Sequence, residues 1–284
     1  MKNFIVLINC KDQPGIIAAT TNFILSCDGN ITYVDQHVDH QQGVFFMRLE
    51  CTLNNVELQK EDFVKSFNAL VANKFQMDWK LYDSESTLKM ALFVSKYDHC
   101  LYDILGRFKS GELKIEIPFI VSNHKDLEPI ADSFGIPFFH VPVSDGKHDE
   151  AQLKHLELLN KYNVDFIVLA RYMQIIPKDI IAAYPFKIIN IHHSFLPAFI
   201  GAKPYHSAFK RGVKIIGATS HYVTTELDAG PIIEQNVVRV SHAHSIKNLI
   251  AKGRDLEKIV LSTAIKHHID KKVLVYSNKT VVFS

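Results

Sequence analysis

The alternation of hydrophobic and polar positions changes rhythm once along this chain. Residues 3–9 form an apolar run rich in Ile and Val, the pattern of a buried strand. Asp12-Gln13-Pro14-Gly15 breaks it, and Pro14 is suited to a helix start. Ile16, Ile17, Thr20, Phe23 and Ile24 then recur at helical spacing as far as Asp28-Gly29-Asn30. Strand-like runs over about 31–39 and 43–51 flank His40-Gln41-Gln42-Gly43 and read as a hairpin. A second helix is expected over about 60–73, with Phe63, Phe67, Leu70 and Val71 on one face, and a last strand over about 75–82. The order βαββαβ is that of a ferredoxin-like unit.

After the short polar stretch Asp83-Ser84-Glu85-Ser86-Thr87 the pattern becomes strand then helix, repeated. Strands are expected near 89–95, 115–121, 136–141, 165–169 and 187–191, and helices near 99–109, 126–133, 150–162 and 178–183. Such alternation predicts an α/β domain, Rossmann-like, with a mostly parallel sheet. Strand-like runs at 214–223 and 231–239, a long helix at about 246–268 and a strand pair around Asn278 complete it. The expected division is 1–83, a linker at 84–87, and 88–284.

Composition narrows the function classes. The 284 residues are 47% hydrophobic and 22% charged, with a net charge of +2, so neither nucleic acid nor a membrane surface is an expected partner. The apolar start, Phe4 to Ile8, is too short for a signal peptide and is followed at once by Asn9, Lys11 and Asp12. Cys10, Cys27, Cys51 and Cys100 show no CxxC spacing, which favours a reducing, cytoplasmic setting over a zinc or disulfide framework. Lys11, Arg48 and Lys60 read as solvated charges, and Phe45-Phe46-Met47 as core or a subunit interface.

Two stretches carry candidate chemistry. In Ile188-Ile189-Asn190-Ile191-His192-His193-Ser194-Phe195-Leu196-Pro197, an apolar strand delivers Asn190 and His192 to one face at its carboxyl end, where open parallel sheets bind ligands. An amide can donate to a developing oxyanion, and an imidazole can move a proton near neutral pH. His192 and His193 point to opposite faces, which disfavours one metal taking both. The second stretch runs from Ala218 to Ile233 and contains His221 and Leu227-Asp228-Ala229-Gly230-Pro231. By itself Asp228 is a turn former, and His206 and His221 are structural histidines by default, while His193 reads equally as a structural histidine or as one near the site.

Together these stretches resemble the signature of the folate-dependent formyltransferases, Asn-x-His-x-Ser-x-Leu-Pro followed by His…Leu-Asp-x-Gly-Pro, over about residues 88–240. The resemblance implies a catalytic set of Asn190, His192 and Asp228, with His221 supporting the Asp. It also implies a pterin-reading loop along Leu169–Ile176, so that Arg171, Met173, Gln174, Ile175 and Ile176, with His221 and Gly230, would bind substrate. After the first strand of this domain, Ser95-Lys96-Tyr97-Asp98 has no glycine to cradle an acceptor phosphate, and Tyr97 and Asp98 would crowd and repel one. The stretch from Asn190 to His206, Ala251–Glu257 and Val275–Thr280 are similar to the formyltetrahydrofolate deformylases in particular. That resemblance extends over essentially the whole chain. It implies hydrolysis of 10-formyltetrahydrofolate to tetrahydrofolate and formate, supplying formate for purine biosynthesis, with no cofactor or metal. Asp228 would orient and in part deprotonate the water, Asn190 would donate to the oxyanion, and His192 would stabilise that oxyanion and protonate the leaving nitrogen. The first domain resembles an ACT domain, which implies a homo-oligomer and an amino-acid effector. Two other functions fit less of the pattern: transfer to an unphosphorylated amine, and a non-catalytic folate or amino-acid binder.

Overall fold

A computed structural model describes residues 2–54, 60–143, 148–198 and 204–284. Phe199-Ile200-Gly201-Ala202-Lys203, part of the stretch that carries the resemblance, lies outside the described residues. The chain forms two compact units. One holds residues up to Ser86 together with Asp270–Tyr276 and Thr280–Ser284, and the other holds Thr87–Ile269 with Ser277–Lys279.

The first unit is the ferredoxin-like βαββαβ arrangement. Strands β1 (Lys2–Lys11), β2 (Gly29–Asp39), β3 (Val44–Leu53) and β4 (Asp78–Asp83) form an antiparallel sheet in the order β2-β3-β1-β4. The β2–β3 turn forms because Gly43 takes φ +65° and the Asp39 carboxylate accepts the backbone N–H groups of Gln41 and Gln42. Helix α1 (Ile16–Ser26) and the run α2 (Lys60–Phe67), a π-helical turn (Asn68–Ala72) and α3 (Asn73–Phe75) supply the aromatic core. Phe23 meets Phe63 and Phe67 edge-on, at 5.2 and 5.1 Å, over Phe4, Val6 and Ile8 of β1.

The second face of this sheet is also covered. Ile5, Leu7 and Phe46 pack with Phe283 and with Leu274, Tyr276 and Val281 of the C-terminal hairpin. The sequence reading groups that hairpin with the second domain; its apolar positions are used on the first unit instead. The same cover explains why Arg48 is not a solvated charge. It lies on the Phe46 side of β3, is 2% exposed, and donates to the carbonyls of Asp270 and Lys271 and to Glu50. Lys11 and Lys60 are exposed, as expected.

The second unit is built on a mixed, mostly parallel sheet in the order β12-β11-β10-β9-β5-β7-β8. Its elements are β5 (Leu88–Val94), α4 (His99–Lys109), β6 (Ile115–Glu116), β7 (Ile120–Ser122), α5 (Glu128–Ser133), β8 (Phe138–His140), α6 (His148–Lys161), β9 (Phe166–Ala170), α7 (Lys178–Ala183), β10 (Ile188–His192), α8 (Pro204–Arg211), β11 (Ile215–Tyr222), β12 (Ile232–Arg239) and α9 (Ile246–Ile269). Met90 to Val94 are all fully buried, so both faces of β5 are covered. The run expected as one strand at 115–121 is two, β6 and β7, because Pro118 between them has no N–H for a ladder. Helix α8 is absent from the sequence reading, although its signals are present. Pro204 opens it, and Gly212 closes it at φ +69° with its N–H on Phe209 and that of Val213 on Ala208. The two strands β13 (Val273–Tyr276) and β14 (Lys279–Val282) form the C-terminal hairpin.

Candidate active site

Strand β10 lies between parallel β9 and antiparallel β11, and its carboxyl end carries Asn190 and His192. Asn190 pairs directly with His221 of β11, which puts their side chains on one face. The chain then leaves β11 and turns back into β12, and Asp228 sits in that turn at φ +54°. Asp and Asn tolerate this left-handed conformation better than most side chains do.

Four groups converge there. His192 Nδ1 lies 3.3 Å from Asp228 Oδ2, and His221 Nε2 lies 3.8 Å from Asp228 Oδ1. The Nδ1–H of His221 donates to its neighbour's carbonyl, Tyr222 O, at 3.0 Å, which leaves Nε2 to accept from the Asn190 amide at 3.2 Å. One of the two Asn190 N–H groups is used in this way, and the second is free to meet a ligand. The hydrogen bond from His192 is the main cause that holds the Asp228 carboxyl well below the usual carboxylate range, against the opposing effect of burial. His192 is 5% exposed, and its Nε2 is buried with no hydrogen-bond partner among the described residues. An orphaned ring nitrogen of this kind calls for an occupant.

A cavity of about 360 Å³ opens over these groups. Asn190, His192, His221 and Asp228 line one side, and apolar Leu169, Ile176, Ile181, Val223 and Leu227 line much of the rest. A few convergent polar groups in an apolar cleft is the usual make-up of a small-molecule site. Met173, Gln174 and Ile175 also line it, and the Met173 N–H is held by Ser95 Oγ at 3.1 Å. Arg171 contributes to the wall, but its guanidinium lies 3.5 Å from Glu257 and over the Tyr97 ring at 4.7 Å. Gly230 does not line the cavity. A Cβ there would collide with the Tyr222 carbonyl oxygen, so this glycine serves the close return of the Asp228 turn onto β11. His193 lines the cavity and meets the rings of His192 and Tyr205 at tilted angles, whereas His206 is exposed.

The chain matches the formyl transferase family over residues 88–265. It is 50% identical over 279 residues to the formyltetrahydrofolate deformylase of Synechocystis sp., covering 98% of each chain. It is 45% identical to the Bacillus subtilis protein of the same name over 98% of this chain and 93% of that one. The chain belongs to the formyltetrahydrofolate deformylase family. A solved member, from Pseudomonas syringae pv. tomato, is 46% identical and superposes with a TM-score of 0.96 over 100% of this chain and 95% of its own. Both compact units are therefore the family's, and the first is as much a part of it as the formyltransferase-like second.

The turn after β5 lines a space rather than closing it. Ser95, Lys96, Tyr97 and Asp98 do not fill the space beside the first cavity. With Asn123, His124, Met173, Gln174 and Arg254 they line a second one of about 450 Å³. The guanidinium of Arg171 lies over the Tyr97 ring, a contact between residues far apart in sequence. Buried Glu257, which meets Arg171, also meets Tyr205 and the half-buried His99, and the sequence reading names no role for Glu257 or His99.

Proposed function

We propose that this chain hydrolyses 10-formyltetrahydrofolate to tetrahydrofolate and formate, and that Asn190, His192 and Asp228 carry the reaction. The observation behind the reading is the His192–Asp228 pair at 3.3 Å, with the free N–H of Asn190 beside it in one cavity. The names of the relatives supply the substrate.

With Nδ1–H of His192 donated to Asp228, Nε2 is left with a lone pair that can take a proton. Water attacks the formyl carbon while Nε2 takes one of its protons, and the second Asn190 N–H donates to the oxygen that gains charge. The imidazolium so formed is stabilised by the Asp228 carboxylate and returns the proton to the folate nitrogen as the C–N bond breaks. The remaining hydroxyl proton is lost to solvent as formate forms. The depressed Asp228 carboxyl is a weak base, so its part is to orient the water and hold the His192 tautomer, and the proton-accepting part passes to His192. The chemistry requires no metal. Leu169 and Ile176 would face the pterin, with the backbone of Arg171–Ile175 reading its edge.

The first unit, as an ACT-like module, would pair two copies and bind an amino-acid effector; its four-stranded antiparallel sheet is consistent with this. Formate released in this way would feed purine biosynthesis in the cytoplasm. No described helix is long and apolar enough to cross a membrane.

The test is formate release from 10-formyltetrahydrofolate with chelator present and no amine. Multiple turnovers are expected. No release until an amine is supplied would make the second cavity, with Lys96 and Arg254 in its wall, an acceptor site and the protein a transferase.

A further inference from the structure

The segment Gly253–Glu257 of α9 takes no part in the proposed reaction, yet it holds a carboxylate with three polar partners. Glu257 is 1% exposed. The Tyr205 hydroxyl donates to its Oε1 at 2.6 Å, His99 Nε2 lies 2.8 Å from its Oε2, and Arg171 Nη1 lies 3.5 Å from the same oxygen. Burial pushes this carboxyl up, but His99 and Arg171 prevail and hold it below the usual range, so it is an anion. One turn earlier on the same face, Gly253 is bare because any Cβ would collide with the Tyr205 ring.

Arg171 is the partner that reaches the substrate cavity. It follows β9 at φ +64°, a conformation that L side chains rarely adopt, and it begins the stretch Tyr172–Ile176 that lines that cavity. Its side chain is 8% exposed, and its Nε and Nη1 form no hydrogen bond of good geometry among the described residues. What compensates its charge is Glu257, with the Tyr97 ring face adding to it. A buried cation tied to a rigid helix, at the one strained residue of a substrate loop, is the arrangement that fixes where the loop lies.

We infer that Glu257 is a positioning residue for substrate binding: an ionic anchor on α9 that holds the loop 172–176 against the folate through Arg171. The inference rests on the hydrolase reading only for the identity of the ligand.

The experiment pairs steady-state formate release with calorimetric binding of tetrahydrofolate, in the full chain and in Glu257→Gln. The expected result is a rise of about tenfold or more in both KM and the tetrahydrofolate Kd, with kcat changed by less than about threefold, the signature of lost uniform binding. Arg171→Lys keeps the charge but loses the guanidinium geometry and should show the same split. The double variant should be no worse than the poorer single one, because both act through one contact. A folded Glu257→Gln with KM and Kd within about twofold of wild type overturns the inference. So does a fall in kcat at constant KM, which would assign Glu257 to the chemistry through Tyr205, His193 and His192. Should Glu257→Gln fail to fold, Arg171→Lys carries the same expected and overturning outcomes. A wild-type chain that binds tetrahydrofolate but releases no formate defeats the hydrolase reading alone, and the Kd comparison still decides the anchor.

Discussion

Replacing Asp228 with Asn is the substitution that separates the proposed chemistry from mere binding. The backbone there takes φ +54°, which Asn tolerates as well as Asp, so the turn should survive. What is lost is the charge. The Asp228 side chain is only 13% exposed and lies 3.3 Å from His192 Nδ1. At that separation two opposite charges in a partly buried site attract by about 5 kcal/mol at an effective dielectric of 20, and this sets the ceiling on imidazolium stabilisation. The amide can also turn its N–H toward Nδ1, which would place the His192 proton on Nε2 and remove the base. A tautomer reversal of that kind in a serine protease costs about 10⁴ in kcat. The two routes are alternative accounts of one loss, so a fall of about 10³–10⁴ in kcat is expected, with KM within about threefold of wild type. Steady-state formate release measures kcat, and tetrahydrofolate titration checks that the cavity is intact. A folded Asp228→Asn protein with kcat within about tenfold of wild type would refute the reasoning. The same substitution has a pH signature. The folded-state carboxyl is depressed, so the stability it contributes is present above the unfolded value of about 3.9 and is lost as pH falls toward the folded one. The variant should therefore lose stability at neutral pH and flatten the acid end of the profile.

Further outcomes follow from single residues. Asn190→Ala removes the oxyanion donor and should cost about 10²–10³ in kcat, and a near-normal kcat with normal folate binding would sink that role. Gly230→Ala forces the Asp228 turn off β11, so both Tm and kcat should fall, with a stability loss on the order of 2–4 kcal/mol by denaturant titration. An unchanged Tm would mean that the return is looser than the packing implies. His155 is 3% exposed, neither ring nitrogen has a partner among the described residues, and burial pushes its pKa from 6.5 down to about 4. Protonation is thus resisted in the fold, and stability of about 3 kcal/mol present above pH 6.5 should drain away as pH falls to about 4. His155→Phe, packed against Phe93 and Tyr172, should remove that slope in urea midpoints measured across the range, and a slope that persists would assign it to another group.

Much of the architecture was legible in local pattern. The βαββαβ order, the switch to alternating strands and helices and the β10 strand end depend on periodicity, which is a property of neighbours in sequence. The elements that escaped were those set by competition between signals. Pro118 split an apolar run into β6 and β7, and α8 was short enough for its Pro204 and Gly212 signals to pass unused.

The sequence by itself singled out the residues proposed to carry the chemistry. Asn190, His192 and Asp228 fall in motifs legible from spacing alone, and period-two geometry puts the first two on one face. Only the tertiary structure decided which partners those residues and their neighbours meet. It brought Asp228 to His192 across a turn whose reach depends on Gly230, and it paired His221 with Asn190 across β10 and β11. It set the Arg171 guanidinium against Glu257, 86 positions along the chain, and it set Arg48 under the C-terminal hairpin rather than in solvent. A charged side chain takes its partner from whatever the fold brings within a few ångströms, and burial strengthens that choice by excluding water. Nothing in the local pattern of the chain encodes such distances.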